Sequence, residues 1–151
     1  MLIFKLVAFP DTVAERPRRT PTAPAQREEQ LMENVIVVGA SSNEERYSNK
    51  AMKMLSDYGH TPIPVAPKDA EILGRTVYAS VAAVPGPVDT VTLYVGPQRQ
   101  EGLFEQIIGK APRRVIFNPG TENPGEYERL RAAGIEPIEA CTLVLLRTGQ
   151  F

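Results

Sequence analysis

The sequence has very few of the side chains that usually carry catalysis or metal binding. Its 151 residues include one histidine, one cysteine and no tryptophan. One imidazole and one thiol are too few for a clustered metal site, and a single cysteine excludes an internal disulfide framework, which favours a cytoplasmic location. His60 is expected in a solvent-facing turn, at the end of the sheet opposite the ligand loops, so no Ser/His/Asp set forms around it. The sequence therefore predicts no metal site and no catalytic residue.

The sequence also lacks an excess of charge of one sign and has no long apolar run. The 17 Lys and Arg residues nearly balance the 18 Asp and Glu residues, for a formal net charge of −1. No basic stripe with interleaved aromatics is present, so nucleic acid is not an expected partner. The apolar stretch 1–10 is too short to span a bilayer and lacks the basic leader of a signal peptide, so no membrane association is expected.

The N-terminal segment differs in composition from the rest of the chain. Residues 11–30 mix proline with Arg, Glu, Thr and Ala, which is typical of a disordered linker. We interpret residues 1–31 as a disordered tail or as an extension from a misassigned start. Residues 32–151 are then a single domain of ordinary size.

Apolar runs alternate with helical periods throughout this domain, which indicates βα units on a parallel sheet. The predicted strands are 34–38, 61–65, 88–95, 113–117 and 135–138, and the main predicted helices are 48–58, 98–110 and one with Asn123 as its N-cap. Pro62 and Pro64 suit an edge-like or irregular second strand, because proline cannot donate to the ladder. Right-handed crossovers then predict an α/β fold, a doubly wound, mostly parallel five-stranded sheet in the order 3-2-1-4-5.

The loop after the first strand, residues 39–48, has the layout of a phosphate-binding turn. Gly39 allows close backbone approach, Ser41 and Ser42 offer hydroxyls, and the amides at the following helix start supply partial positive charge. Ser48 is the predicted N-cap of that helix. An ordinary turn remains the alternative, since Ser42 and Glu45 match a capping box.

The end of the second strand helps to discriminate among nucleotides. A site for NAD usually places an acidic residue there to bind the ribose hydroxyls. This strand instead ends in Val65-Ala66-Pro67-Lys68, and a lysine suits a phosphate on the ribose. The alternative interpretation is that Lys68 is a solvated surface residue, and the adjacent Asp69 leaves plain NAD open.

Two further loops follow the third and fourth predicted strands. Val95-Gly96-Pro97 lets the backbone pass close to a ligand before the next helix begins. In the loop 118–123, the Asn118 amide and the Thr121 hydroxyl are candidates to contact amide groups of a ligand. Each loop is equally consistent with an ordinary turn.

Taken together in chain order, these landmarks resemble a known family. Val-Val-Gly-Ala-Ser, Pro67-Lys68, Val95-Gly96-Pro97, Asn118-Pro119-Gly120-Thr121-Glu122-Asn123 and Cys141 are similar to the small stand-alone CoA-binding proteins, relatives of the N-terminal domain of the succinyl-CoA synthetase α subunit. The resemblance runs from about Asn34 to the C-terminus. It implies a Rossmann-like sheet whose cofactor is coenzyme A or an acyl-CoA, bound through its 3′-phospho-ADP half. The implied binding residues are Gly39, Ala40, Ser41, Ser42, Arg46, Tyr47, Ser48, Pro67, Lys68, Val95, Pro97, Asn118, Gly120 and Thr121.

The resemblance also bears on chemistry. The phosphorylated histidine of the synthetase lies in a second domain without a counterpart here, so we expect non-catalytic CoA binding, as a sensing, sequestering or accessory module. A small NADP-dependent oxidoreductase and a nucleotide-binding subunit of a partner enzyme are the alternatives, and a protein partner or homo-oligomer stays open. Cys141 is either a small buried apolar side chain or a thiol near the pantetheine end that exchanges with CoA.

Overall fold

The structure, a computed structural model, describes residues 32–151, so the predictions for 1–31 lie outside the described residues. The strands are β1 Asn34–Val38, β2 Thr61–Val65, β3 Glu71–Ile72, β4 Arg75–Thr76, β5 Thr90–Leu93, β6 Arg114–Phe117 and β7 Glu136–Glu139. The α-helices are α1 Tyr47–Asp57, α2 Leu103–Lys110, α3 Tyr127–Ala132 and α4 Thr142–Arg147, with 3₁₀ turns at Val81–Ala83, Pro97–Arg99 and Pro124–Glu126. Within this part of the chain, no helix is long and apolar enough to cross a membrane.

The main sheet is parallel and has five strands, which confirms the predicted α/β class. Its order is β2-β1-β5-β6-β7, and β3 and β4 form a separate antiparallel hairpin. Numbered as the five predicted strands, this order is 2-1-3-4-5, so the predicted order 3-2-1-4-5 is wrong.

Proline explains the correct order. Thr61 donates its N–H to the Glu33 carbonyl on the β1 side at 2.8 Å. The backbone nitrogens of Pro62 and Pro64, at the alternate positions, therefore point away from β1. Both lack the N–H groups that another full strand would need on that side. The prediction that the second strand is edge-like was right, and it is incompatible with the internal place that the predicted order assigned to that strand.

The sheet has an apolar layer on each face, because side chains alternate along each strand. Ile36 and Val38 face a cluster that includes Phe104 and Ile107 from α2. The alternate residues of β1 face a second cluster, which contains Met52 and Leu55 from α1 and Leu146 from α4.

The start of the first helix differs from the prediction. Helix α1 begins at Tyr47 with Arg46 as N-cap, and Ser48 is buried in its first turn rather than capping it. The capping box of Ser42 and Glu45, which was the alternative interpretation of this loop, does not form. Ser41 Oγ accepts the Asn43 N–H at 3.0 Å, and Asn43 Oδ1 accepts the Glu45 N–H at 2.9 Å. The loop thus satisfies its own amides by short-range turns.

The predicted helix 98–110 is divided in the structure. A 3₁₀ turn at Pro97–Arg99 precedes α2, and Gly102 between them has a φ of +74°. Asn123 also does not cap with its side chain, which donates instead to the Gln100 side chain at 2.9 Å.

His60 lies at the amino-terminal end of the sheet, as expected, but it is half-buried, so the predicted solvent-facing position is wrong. Its Nδ1 accepts the Glu33 N–H at 3.1 Å, and its ring centroid is 4.9 Å from that of Phe151. Burial lowers the pKa of His60, with the Arg114 charge acting in the same direction and Glu33 opposing it. This histidine therefore helps to hold the C-terminal residue in place.

Candidate functional site

The strand order reverses direction at β1, which pairs with β2 on one side and with β5 on the other. In doubly wound sheets of this order, ligands bind at the carboxyl ends of these strands, where the two loops diverge. The loops that leave β1 and β5 at this point are 39–46 and 94–96. The switch point thus identifies the place to look for a ligand site.

Gly39 brings these two loops into close contact. It has a φ of +87°, and a Cβ at this position would lie 2.8 Å from Val95 Cγ1 and 3.2 Å from the Tyr94 carbonyl oxygen. Both the backbone conformation and the spacing therefore require glycine. Its amide and that of Ala40 donate to the Val65 carbonyl at 3.0 and 3.2 Å, so these two amides hold the loops after β1 and β2 together.

The start of α1 leaves few of its amides available to a ligand. The Arg46 N–H donates to the Asn43 carbonyl at 3.0 Å, and the N–H groups of Asn49 and Lys50 both donate to the Arg46 carbonyl at 3.1 Å. The N–H groups of Tyr47 and Ser48, the first two residues of the helix, are the ones without an intrahelical acceptor. Ser42 and Arg46 are exposed beside it. The buried Asn49 anchors the helix to the loop, since its Nδ2 donates to the Ser41 carbonyl at 2.8 Å.

One cavity, which we call the Gly39 cavity, lies on the α2 face of the switch point. It has a volume of about 240 Å³. Its lining comes from the ends of β1, β2 and β5 and from the start of α2, and includes Gly39, Pro67, Val95, Arg99 and Leu103. Lys68, the next residue after Pro67, is exposed.

A second cavity, the Tyr94 cavity, has a volume of about 300 Å³ and is lined by Tyr47, Tyr94, Asn118, Pro119, Cys141, Leu143 and Arg147. Tyr94 packs with the residues of the α1 and α4 face, whereas Val95 packs on the α2 face. Burial raises the pKa of Tyr94 to about 12, so its hydroxyl is protonated at neutral pH. Tyrosine, cysteine and arginine give this cavity its polar groups, and apolar surface makes up much of the remainder.

Asn118 forms the floor of this region through a closed set of hydrogen bonds. Its Nδ2 donates to Thr92 Oγ1 at 2.6 Å and to the Leu93 carbonyl at 2.8 Å, and its Oδ1 accepts the Thr142 N–H at 2.8 Å. The Thr121 hydroxyl donates to the Asn118 carbonyl at 2.8 Å. The predicted ligand-contacting amide is therefore occupied by contacts that fix β5, β6 and α4 relative to one another.

The structure sorts the predicted binding residues into three groups. Lining the two cavities are Gly39, Pro67, Val95, Tyr47, Asn118 and Cys141. Buried within the loops are Ala40, Ser48 and Thr121, while Ser41 is half-buried. Exposed around the site are Ser42, Arg46, Lys68, Pro97 and Gly120.

The sequence analysis missed two residues of this region. Gln100 is buried and its Nε2 donates to the carbonyls of Val95 and Thr121, each at 2.9 Å, so it ties the loops after β5 and β6 together. Tyr94 was overlooked although it precedes Val95 in the predicted strand exit. The period-2 alternation of a strand was the available signal, because it sends consecutive residues to opposite faces.

Within residues 32–151, no group of three or more His, Cys, Asp and Glu side chains is arranged to hold a metal ion. The titratable groups that line the cavities are Arg99 and Glu101 in the Gly39 cavity, and Tyr47, Tyr94, Cys141 and Arg147 in the Tyr94 cavity.

The fold is a doubly wound α/β domain with two cavities at the switch point of its sheet. Residues 33–147 match the family described as CoA binding domain, and the chain belongs to this family. The resemblance inferred from the sequence is thus confirmed.

The chain is also similar to individual known proteins. A crystal structure of an uncharacterised protein is 44% identical, has a TM-score of 0.75, and covers 80% of this chain and 98% of its own. The uncharacterised protein YneT of Bacillus subtilis is 28% identical over 105 residues, which are 70% of this chain and 78% of YneT. The ADP-forming acetate–CoA ligase I of Archaeoglobus fulgidus is 41% identical over 61 residues, 40% of this chain but 9% of the ligase.

Proposed function

We propose that the domain binds coenzyme A or an acyl-CoA through the 3′-phospho-ADP half and does not transform it. On this proposal it acts as a sensing, sequestering or accessory module. Membership of the CoA binding domain family supports the ligand class. The proposal that binding is non-catalytic is supported by the lining of the two cavities. No nucleophilic side chain there is hydrogen-bonded to a side chain that could act as its general base.

The observation that carries the proposal is the pair of cavities on opposite faces of one strand end. The Gly39 cavity and the Tyr94 cavity adjoin the consecutive residues Val95 and Tyr94. A ligand that uses both must be long and must cross the edge of the sheet. CoA fits this requirement, because a compact nucleotide and a flexible pantetheine arm are joined by a pyrophosphate.

The residues divide between the two halves of the ligand. The N–H groups of Tyr47 and Ser48 at the start of α1 suit the pyrophosphate, since a helix start favours an anion. Pro67 and Val95 would line the adenine side, and Lys68 would meet the 3′-phosphate. The arm would then run toward residues 118–121, where Asn118 and Thr121 act as positioning residues through their internal hydrogen bonds.

Calorimetric titration of the protein with CoA, dephospho-CoA, NADP and NAD tests the proposal. We expect CoA to bind most tightly and dephospho-CoA more weakly, with the same ranking in ligand-dependent thermal stabilisation. Stabilisation by NADP with none by CoA would overturn the proposal and favour the oxidoreductase alternative. Incubation with acetyl-CoA should leave the thioester intact beyond its spontaneous hydrolysis in buffer, and faster loss would contradict a non-catalytic role.

A further inference from the structure

One arginine in the wall of the Gly39 cavity has no partner within the described part of the chain. Arg99 lines this cavity and is exposed. Among residues 32–151 its guanidinium makes no hydrogen bond and no ion pair, even with Glu101, the carboxylate that also lines the cavity. A guanidinium carries five N–H donors in a planar fork that matches the oxygens of a phosphate. Its charge and its donors are therefore available to a ligand in the cavity.

The backbone that carries this side chain is held in place by the protein itself. Arg99 ends the 3₁₀ turn that Pro97 begins, and its N–H donates to the Gly96 carbonyl at 2.9 Å. The next residue, Gln100, is buried and hydrogen-bonded to the loops after β5 and β6. The cation is therefore anchored beside the cavity before a ligand arrives, and binding has to order only the side chain.

A second cation lies on the other side of the same crevice. Strand β1 lies between β2 and β5, so the loops that leave β2 and β5 flank the end of β1, where Gly39 lies. Lys68 follows Pro67 in the loop after β2, and Arg99 belongs to the loop after β5. Lys68 is exposed and forms no ion pair with any residue that the structure describes. Two available positive charges therefore flank the Gly39 cavity.

We infer that Arg99 binds the 3′-phosphate of CoA together with Lys68, so that two loops share the recognition of this group. The inference rests on the proposed function and adds to it a second residue that determines specificity for the phosphate. A phosphate monoester carries about −1.5 to −2 charges at pH 7, which is more than one lysine neutralises. Lysine supplies a point charge and arginine a bidentate fork, so the pair provides both charge and geometry.

Calorimetric titration of Arg99→Gln with CoA and with dephospho-CoA tests this inference. We expect the variant to bind CoA about tenfold more weakly, from the loss of one charge-assisted contact, and to bind dephospho-CoA within about twofold of the unmodified protein. Arg131→Gln is the matched control, because it removes the same charge from an exposed arginine on α3 that lines neither cavity. Without ligand, both variants should unfold at the temperature of the unmodified protein.

The double variant Lys68→Ala/Arg99→Gln distinguishes a shared role from a single one. Its affinities for CoA and dephospho-CoA should be nearly equal, whereas each single variant should keep part of the preference for CoA. Phosphorus NMR supplies a second measurement. The second pKa of a free phosphate monoester is about 6, and we expect binding to lower the pKa of the 3′-phosphate, because nearby cations favour its dianion. Arg99→Gln should reduce that shift.

The possible failures of this test are distinct. Equal weakening of CoA and dephospho-CoA binding by Arg99→Gln would overturn the inference and place the guanidinium against the adenine or the pyrophosphate. An unchanged affinity for CoA would also overturn it and leave Lys68 as the phosphate contact. Both results leave CoA binding standing, whereas failure of the unmodified protein to bind CoA would overturn the proposed function itself.

Discussion

Tyr94 and Val95 are adjacent in the chain, yet they line two different cavities on opposite faces of the sheet. The alternation of side chains at the end of β5 produces this division. Gly39 sits against both residues, since a Cβ there would lie within 3.2 Å of Tyr94 backbone atoms and 2.8 Å from Val95. A single strand end therefore shapes both halves of the candidate site.

Replacing Gly39 by alanine should destabilise the fold and weaken CoA binding. The backbone conformation costs a residue with a Cβ about 1–3 kcal/mol, and the close contact with Val95 adds to that cost. Gly134→Ala is the matched control, because Gly134 has a φ of +81° and open space around its Cβ position. Urea unfolding should show the larger loss for Gly39→Ala. Equal losses would mean that the contact with Val95 has no role.

Lys68→Ala should weaken binding of CoA but not of dephospho-CoA. Removing one charge-assisted contact to the 3′-phosphate is expected to raise the dissociation constant for CoA roughly tenfold. Lys53→Ala is a suitable control, since Lys53 is an exposed cation on α1 that pairs with Glu44 at 3.8 Å. An unchanged CoA affinity in Lys68→Ala would assign the lysine to the solvated surface, and the calorimetric titration distinguishes the two.

Cys141 should form a mixed disulfide when the protein is incubated with CoA disulfide. The Cys141 thiolate attacks one sulfur, a new S–S bond forms, the original S–S bond breaks, and one CoA leaves as a thiolate. Because Cys141 lines the Tyr94 cavity, we expect CoA disulfide to react faster than glutathione disulfide. Intact-protein mass spectrometry measures the adduct, and Cys141→Ser should show none. Equal rates for the two disulfides would contradict guidance by the cavity.

Glu33 should give the domain part of its acid sensitivity. It accepts hydrogen bonds from Thr90 and Arg113, each at 2.6 Å, and lies 3.3 Å from Arg114. Burial alone raises the pKa of Glu33, but Arg114, Thr90 and Arg113 together hold it below the usual 4.5. A lowered carboxyl pKa contributes stability above about pH 4.5, and that stability is lost as the pH falls through the folded-state pKa.

Glu33→Gln should therefore be less stable at neutral pH, by about 2 kcal/mol, and should lose less stability on acidification. The cost is below that of a fully buried pair because the Arg113 side chain is 40% exposed. Glu105→Gln is the control, since its pair with Arg129 lies at the surface and its loss should not measurably change stability. Urea unfolding at several pH values checks both variants, and parallel acid profiles for Glu33→Gln and the unmodified protein would refute the assignment.

The local sequence pattern was sufficient to predict the strand positions and the fold class, but not which strands lie next to one another in the sheet. Predicted strand positions agree with β1 and β2 at both ends, because a run of β-branched residues or prolines constrains the backbone within a few residues. The strand order depends on which side of β1 the chain crosses to. Pro62 indicated that the second strand is an edge strand. Only the direction of the Thr61 hydrogen bond showed on which side of β2 the sheet ends, and this fixes the order.

Helix N-caps and the hydrogen-bond partners of polar side chains were harder to predict for a related reason. Ser48 and Asn123 have the composition of N-caps, yet Ser48 is buried in the first turn and Asn123 donates to Gln100. Asn118 was expected to contact a ligand, and its amide instead joins Thr92 and Thr142. Polar side chains in loops have several possible partners, and the partner chosen depends on elements distant in the chain.

The sequence by itself determined that this chain forms a parallel α/β sheet with Gly- and Pro-containing loops after its strands, because hydrophobic period and turn residues are local properties. It also carried the landmarks of the CoA binding domain family. Only the tertiary structure decided that Gly39 meets Val95 and that two cavities divide at Tyr94 and Val95. These features arise where strands far apart in the chain come together, and no local pattern specifies that contact.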